Sequence, residues 1–437
     1  MDLGQDKNVE KIPARLEKTA GNPDIIRIEG TWGSFARCLA AYISKKISRP
    51  ILYICPHIDD AEKTVDDVQT FGCDSVEPLS AWEGKEDLAD ATDEIRAQRL
   101  KLISRVSNGN YNKNKNPFFI STSIQALCQP IPKPQALEAG SLQLHVNGQI
   151  SPEELVTWLL ENHFERVDRI DLPGQFARRG GIIDIFAPLI DEKILSGQET
   201  QEIPQSTEAF RIEFFGDTIE SIREINLDTQ RSSRQIKSIR IISAVCGTTT
   251  EQRELFINIL PKNTIIIFEE PNEIQEVAQV FLARSEDTSS LYEWSDIYTA
   301  AKNFTQLHIC RFAPSRLEDF IRLDIKSVQQ YQHKATSIWA GHKAALEELL
   351  TESKHGKNVL LYCESSAEIN RVSEIIRDIN KEIPPRFKLL LGFVHQGFVI
   401  NSLRTIIISH HKNIIQEAQQ VYLVERGEVI KDVSYLS

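Results

Sequence analysis

The sequence predicts a multi-domain α/β protein in which a small β-rich (α+β) module is inserted into a first α/β domain and a further α/β domain follows. Strand-like apolar runs alternate with amphipathic helical stretches over residues 24–128. Short strands and glycine-containing turns replace this pattern from about Gln143, and the α/β alternation returns from Thr250. The predicted limits, in chain order, are 1–143 for the first part of the first domain, 144–246 for the module, 247–326 for the return of the first domain and 327–437 for the third domain.

The first domain is predicted from strands and helices that follow one another in turn. A chain of this kind is typical of a parallel sheet covered by helices. The predicted segments are strand Asp24–Glu29, helix Thr31–Ile47, strand Pro50–Cys55, helix Asp59–Phe71, helix Ala91–Val106, strand Pro117–Ser121 and, after the module, strand Asn263–Phe268 and helix Pro271–Ala283.

The module is predicted to open with a helix and to continue as short strands. Ser151 is a good N-cap, and Glu154 stands three residues later, as a capping box requires. We expect this helix to run to Glu161. The polar stretch Ile190–Glu208 is interpreted as a loop-like insertion between two strands. The turns are predicted at three glycine-containing pairs, Pro173-Gly174, Gly180-Gly181 and Gly216-Asp217.

In the third domain, predicted helices and strands again alternate along the chain. Its predicted segments are helix Ser337–Leu350, strand Asn358–Cys363, helix Ser366–Ile379, strands Lys388–Leu391 and Arg404–Ser409, and a last helix from Lys412.

Composition and charge exclude several classes of protein. With 50 Lys and Arg against 62 Asp and Glu, the formal net charge is −12, which disfavours a protein that binds nucleic acid over its whole surface. No apolar run approaches the ~18 residues that a membrane-spanning helix needs, and the N-terminus carries no export signal. The seven cysteines are widely spaced without a CxxC pair, so we expect reduced thiols and a cytoplasmic location.

The loop after the first strand resembles a nucleotide-binding loop that has lost its chemistry. A working P-loop places a Lys and a Ser or Thr after its glycines, because the Lys reaches the phosphates and the hydroxyl holds Mg²⁺. This chain has Gly30, Gly33 and Ser34 at that place but no Lys. We therefore expect a degenerate nucleotide loop without ATP or Mg²⁺. The pair Glu269-Glu270, at the end of a strand, is interpreted as two solvated acids.

Motifs for catalysis or metal binding are missing from the sequence. There is no H-E-x-x-H, no Cys/His cluster and no G-x-S-x-G elbow. The adjacent pair His410-His411 points to opposite sides if extended, so we expect a satisfied or solvated pair rather than a ligand set. We expect no catalytic residue and no metal site.

Two stretches of the module carry the composition of a protein-binding surface. In Phe210–Ile225 the two-residue period of a strand puts Arg211 and Phe215 on one face, and aromatic residues with arginines are typical of interface hot spots. The other interpretation is that Phe215 lies under the insertion. Arg178 and Arg179 are predicted to point to opposite sides, which leaves one for a partner unless both are solvated.

A third stretch, Arg231–Arg240, holds four basic residues and no acid. It is either a phosphate contact or, as the acidity of the chain favours, a solvated face.

In order and spacing, three segments resemble the module shared by UvrB and the transcription-repair coupling factors (Mfd). They are Pro173–Phe186 (PGQFARRGGIIDIF), Phe210–Arg223 (FRIEFFGDTIESIR) and Asp228–Ser232 (DTQRS). The degenerate loop and the third domain favour the N-terminal region of the coupling-factor family over UvrB. The resemblance implies that the chain stops before the RNA-polymerase-interacting and translocase domains of that family.

The resemblance also implies a function and its residues. In the family, two arginines and a phenylalanine of the module contact UvrA, and they match Arg179, Arg211 and Phe215. The chain is then expected to be a non-catalytic recruiting arm of transcription-coupled nucleotide excision repair. RNA polymerase and double-stranded DNA are partners of the intact family. The alternative is part of an ATP-dependent DNA translocase. Arg178 beside Arg179, and the long insertion Ile190–Glu208, depart from the family pattern.

Overall fold

A computed structural model describes most of the chain. The described residues are 2–19, 23–82, 94–107, 117–187, 189–194, 209–243, 250–312, 320–331 and 338–410. The predicted helix from Lys412 and residues 195–208 of the predicted insertion lie outside them. No helix in these ranges is long and apolar enough to cross a membrane.

The described strands, numbered in chain order, are β1 (Ile25–Glu29), β2 (Ile51–Cys55), β3 (Val76–Leu79), β4 (Phe119–Ser123), β5 (Ile131–Pro132), β6 (Ser141–His145), β7 (Glu165–Arg166), β8 (Gln175–Arg179), β9 (Ile182–Phe186), β10 (Leu189–Ile194), β11 (Ala209–Phe215), β12 (Thr218–Asn226), β13 (Arg231–Ile242), β14 (Arg253–Glu254), β15 (Ile265–Glu269), β16 (Thr305–Cys310), β17 (Phe320–Arg322), β18 (Ile325–Ser327), β19 (Asn358–Cys363), β20 (Phe387–Leu391), β21 (Phe398–Ile400) and β22 (Thr405–Ser409).

The described α-helices are α1 (Lys7–Lys18), α2 (Phe35–Lys46), α3 (Ile58–Thr70), α4 (Glu94–Ser107), α5 (Ile124–Cys128), α6 (Pro134–Ala139), α7 (Pro152–Glu161), α8 (Pro271–Arg284), α9 (Trp294–Ala301), α10 (Ile338–Lys354) and α11 (Ser366–Asn380).

The first sheet is parallel throughout, in the order β17-β1-β16-β15-β2-β4-β3. Its central strands β2 and β4 are buried at every position, as expected when helices cover both faces. The predicted α/β fold is confirmed. Strand β15, which follows the module in sequence, returns to the middle of this sheet beside β2, so the module is an insertion in the first domain.

The module sheet is mostly antiparallel, in the order β10-β13-β12-β11-β9-β8-β7, and β6 also pairs with β13. Helix α7 begins with the predicted capping box of Ser151 and Glu154. One expectation is wrong in part: residues 190–194 of the predicted loop-like insertion belong to strand β10, which pairs with β13. Its polar composition concealed it, because an edge strand has one neighbour and tolerates charged residues.

A five-stranded sheet, β18-β21-β22-β19-β20, forms the third unit. One face packs on α10 and α11. The other face shares a core with the first domain, in which Phe398 meets Phe35 edge-on with 5.5 Å between ring centroids. The first and third units are therefore joined by continuous apolar packing.

Helix α1 was not predicted from the sequence. Val9, Ile12 and Leu16 recur at helical spacing and are fully buried in the shared core, and Asp6 caps the helix by accepting from the backbone N–H groups of Asn8 and Val9. Pro13 and the charged residues between these positions hide the periodicity.

Candidate functional site

The outer face of the module sheet brings the three predicted partner residues onto neighbouring strands. Strand register sets Arg211 of β11 directly across from Asp184 of β9, and Glu213 across from Ile182. Ile182 in turn faces Arg179 at the end of β8. Residues paired across strands point to the same side of a sheet, so this surface is continuous over β8, β9 and β11.

Phe215 stands at the end of β11 with 80% of its surface exposed. The predicted two-residue turn follows it, and Gly216 there has φ +61°, which favours glycine. The predicted period is confirmed, because Phe210 and Ile212 are fully buried and Phe214 packs against the module core. The aromatic ring is thus presented to solvent on a rigid hairpin.

Arg211 is already engaged within the chain. Its Nε and Nη2 donate to the two carboxylate oxygens of Asp184, each at 2.8 Å, and Nη1 reaches Ser232 Oγ at 3.4 Å. The hydrogen bond to Asp184 raises the pKa of Arg211 above its ordinary value, against the effect of burial. A guanidinium has five N–H donors, so two remain for a partner. The pairing of Asp184 with Arg211 depends on the order of the strands, which the sequence alone does not show.

As predicted, the side chains of Arg178 and Arg179 lie on opposite sides of the strand. The Arg178 side chain forms an ion pair with Glu153 on α7 and is not available to a partner. Arg179 is exposed and donates to the backbone carbonyl of Asp168 at 2.8 Å. The turn after them contains Gly181, where a Cβ would lie 3.3 Å from the carbonyl oxygen of Phe214, so the backbone of β11 approaches this turn closely. The β8–β9 pairing runs without a bulge.

The basic stretch of β13 is partly neutralised. Arg234 pairs with Glu224 on β12, and the Nε of Arg240 donates to Gln143 at 3.0 Å. These partners favour the interpretation as a structural strand face over a phosphate site.

The degenerate loop of the first domain is closed by other parts of the chain. Residues 393–397, here called the closing segment, lie against it. The backbone N–H of Ser34 donates to the carbonyl of Gln396 at 2.9 Å, and the N–H of Gln396 donates to Ser34 Oγ at 3.0 Å. A Cβ on Gly33 would lie 2.6 Å from the carbonyl oxygen of Gly397, and one on Gly30 would lie 2.1 Å from that of Leu323. Because Gly30 and Gly33 have no Cβ, the backbone of a neighbouring segment can approach the loop at the place where a working P-loop binds phosphate.

Asp67 on α3 joins the loop to the closing segment. Its carboxylate accepts from Ser34 Oγ at 2.7 Å, from Arg37 Nη1 at 2.8 Å and from the backbone N–H of His395 at 2.9 Å. The side chain of Asp67 is fully buried. A buried carboxylate with three donors is well satisfied, so this junction is a built contact.

Glu269 corrects the interpretation of the acidic pair. It is not solvated: its carboxylate lies 3.7 Å from the Nε of Arg37, and burial raises its pKa above the ordinary value. Glu270 is also partly buried and accepts from the backbone N–H of Arg311 at 2.8 Å. Arg37 lies in the first turn of α2 and brings a positive charge to Glu269.

The Nδ1 of His410 is hydrogen-bonded to the carboxylate of Glu368 on α11, which agrees with the expectation of a satisfied side chain. His411 lies outside the described residues. Within the described part of the chain, no group of three or more His, Cys, Asp or Glu side chains is placed to hold a metal ion.

Residues 142–196 and 197–245 match the family described as the UvrB interaction domain. The chain is also 30% identical over 217 residues to the transcription-repair-coupling factor of Bacillus subtilis, which covers 49% of this chain and 16% of that protein. The corresponding protein of Escherichia coli is 25% identical over 214 residues, 48% of this chain and 17% of its own length.

These findings confirm the resemblance to the transcription-repair coupling factors. The matched segment spans about one sixth of the length of those relatives. A solved chain described as an XPD helicase matches 89% of this chain and 80% of its own length, at 11% identity and a TM-score of 0.23.

Proposed function

We propose that this chain is a non-catalytic recruiting arm of transcription-coupled nucleotide excision repair that binds UvrA through the outer face of its module. The observation that carries the proposal is Phe215, exposed on a rigid hairpin beside Arg179 and Arg211 in a segment that matches the UvrB interaction domain. Bacterial relatives support action in the cytosol.

The chemistry of this face suits a partner with an apolar pocket rimmed by acids. Burying the Phe215 ring is worth about 2 kcal/mol, in the range of an interface hot spot. Arg179 lies two strands away and offers donors beyond the one that Asp168 occupies. A charge-assisted hydrogen bond from it contributes about 1.5–3 kcal/mol.

We further propose that the first domain holds neither ATP nor Mg²⁺. The support is that the closing segment lies directly against Gly33 and accepts a hydrogen bond from the backbone N–H of Ser34. The alternative function, ATP-driven DNA translocation, would need a nucleotide site elsewhere in a longer protein. RNA polymerase and double-stranded DNA are proposed as partners of such a longer protein.

The test is direct binding of the whole chain to purified UvrA by calorimetry. Phe215→Ala should weaken binding by about 2 kcal/mol, or roughly 30-fold. The matched control is Phe312→Ala, because Phe312 is 73% exposed but lies in the first domain, edge-on to Trp32. Absence of binding by the folded wild-type chain would overturn the proposal, as would equal effects of the two variants.

Arg179 provides a second, electrostatic test. Arg179→Glu should weaken UvrA binding more than Arg179→Ala, because the new carboxylate would repel an acidic partner group. Equal affinities of the two variants would remove Arg179 from the binding face.

A further inference from the structure

Arg223 shares the outer face with Arg211 but has no partner among the described residues there. The register of β11 and β12 sets Arg223 directly across from Arg211, and the register of β12 and β13 sets it across from Gln235. One row across the sheet therefore reads Asp184, Arg211, Arg223 and Gln235. Cβ atoms of directly opposed residues lie about 4.5–5.5 Å apart, so the two arginine side chains leave the sheet next to each other.

The two arginines differ in how they are satisfied. Arg211 is held by both carboxylate oxygens of Asp184. Arg223 is half-buried, and no hydrogen bond or ion pair joins it to any described residue; its buried Nε has no acceptor. A buried donor without an acceptor destabilises the fold, and like charges directly opposed across strands add to that cost. The folded chain thus keeps an unfavourable group on this face.

Two irregularities of the sheet fix the position of Arg223. The register of β12 shifts against β11 between Glu213 and Phe214, and it shifts against β13 just after Arg223. Bulges of this kind redirect side chains and are enriched beside functional sites. Ile222, the preceding residue, is fully buried in the module core, so Arg223 is held on the outer side.

The acids on the same face do not neutralise it. Asp184 is engaged by Arg211, and Glu213 accepts from Ser221 Oγ at 2.6 Å. Both carboxylates are therefore already occupied by other side chains of the sheet.

We propose that Arg211 and Arg223 form a two-guanidinium clamp for one carboxylate of the protein partner. The carboxylate would accept from Arg223 and from the donors that Asp184 leaves free on Arg211, beside the pocket that takes Phe215. This inference rests on the proposed function, since it assigns a fourth contact residue and an acidic counterpart to the same binding face.

The experiment measures the affinity of the full chain for UvrA and its melting temperature in Arg223→Ala and Arg223→Lys. The clamp predicts that Arg223→Ala binds at least tenfold more weakly while its melting temperature is unchanged or higher, because an unsatisfied buried donor is removed. Arg223→Lys keeps the charge but not the fork, and is expected to remain weaker than the wild type. Arg231→Ala, an exposed arginine of β13, is the control that removes the same charge.

The outcomes separate the two claims. Wild-type affinity in Arg223→Ala, or a loss no greater than in Arg231→Ala, overturns the clamp and leaves the proposed function standing. A lowered melting temperature with affinity unchanged assigns Arg223 a structural role and also overturns the clamp. If neither the folded wild-type chain nor Phe215→Ala binds UvrA, the proposed function is overturned, and the clamp is overturned with it.

Discussion

Replacing Gly33 with alanine should loosen the closing segment from the degenerate loop. Gly33 has φ +55°, and a Cβ there would lie 2.6 Å from the carbonyl oxygen of Gly397 and 2.7 Å from that of Gln396. Both are backbone atoms, so the closing segment itself must move. The two hydrogen bonds that Ser34 makes with Gln396 would then break.

The magnitude follows from these parts. A left-handed backbone conformation costs a residue with a Cβ about 1–2 kcal/mol. Two hydrogen bonds lost to water cost about 0.5–1.5 kcal/mol each. The free energy of unfolding should fall by about 2–5 kcal/mol, and amide hydrogen exchange in residues 393–397 should accelerate.

The control is Gly356→Ala in the third unit. Gly356 has φ +87°, but the nearest heavy atom to its Cβ position, Nη2 of Arg404, lies at 3.7 Å. In this variant the left-handed backbone is still unfavourable, but the added Cβ collides with no neighbouring atom. The free energy of unfolding should therefore fall by about 1–2 kcal/mol. Urea unfolding and exchange measured by mass spectrometry give both quantities. If the two variants lose equal stability and the closing segment exchanges at the wild-type rate, the closed loop is refuted.

Three further predictions concern charge inside the fold. Burial lowers the pKa of His308 from 6.5 to about 4, so the folded state favours the neutral ring. The free energy of unfolding is therefore unaffected by this group above pH 6.5 and falls by about 3 kcal/mol as the pH drops toward 4. His308→Phe should flatten that part of the stability–pH profile in thermal melts. Burial raises the pKa of Glu269 above 4.5, so stability declines as the pH rises beyond that value, and Glu269→Gln should remove the decline, which melts across the same buffers would reveal. Arg211→Ala leaves Asp184 only 5% exposed without its partner and should cost the module about 3–5 kcal/mol, most of which Asp184→Ala in the same chain should restore; urea titrations showing additive losses would contradict the pairing.

Much of the candidate site followed from the sequence because strand geometry is local. The period of two sufficed to put Arg211 and Phe215 on one face, and the glycine pairs marked the two hairpin turns. Strand β10 and helix α1 were not predicted. Charged residues fill half of the edge strand and a proline interrupts the helix, so the local pattern is weak, and strand pairing and burial decide the structure instead.

The loss of the nucleotide lysine beside Gly30 and Gly33, and the resemblance of the module, were determined by the sequence alone, because both depend on residue type and spacing along the chain. Only the tertiary structure decided what lies against this loop. Ser34 and Gln396 are 362 residues apart in the chain, and their hydrogen bonds exist because the third unit packs its apolar sheet face on the first domain. Likewise, the pairing of Arg211 with Asp184, and the isolation of Arg223 beside it, depend on strand order, which no local pattern encodes.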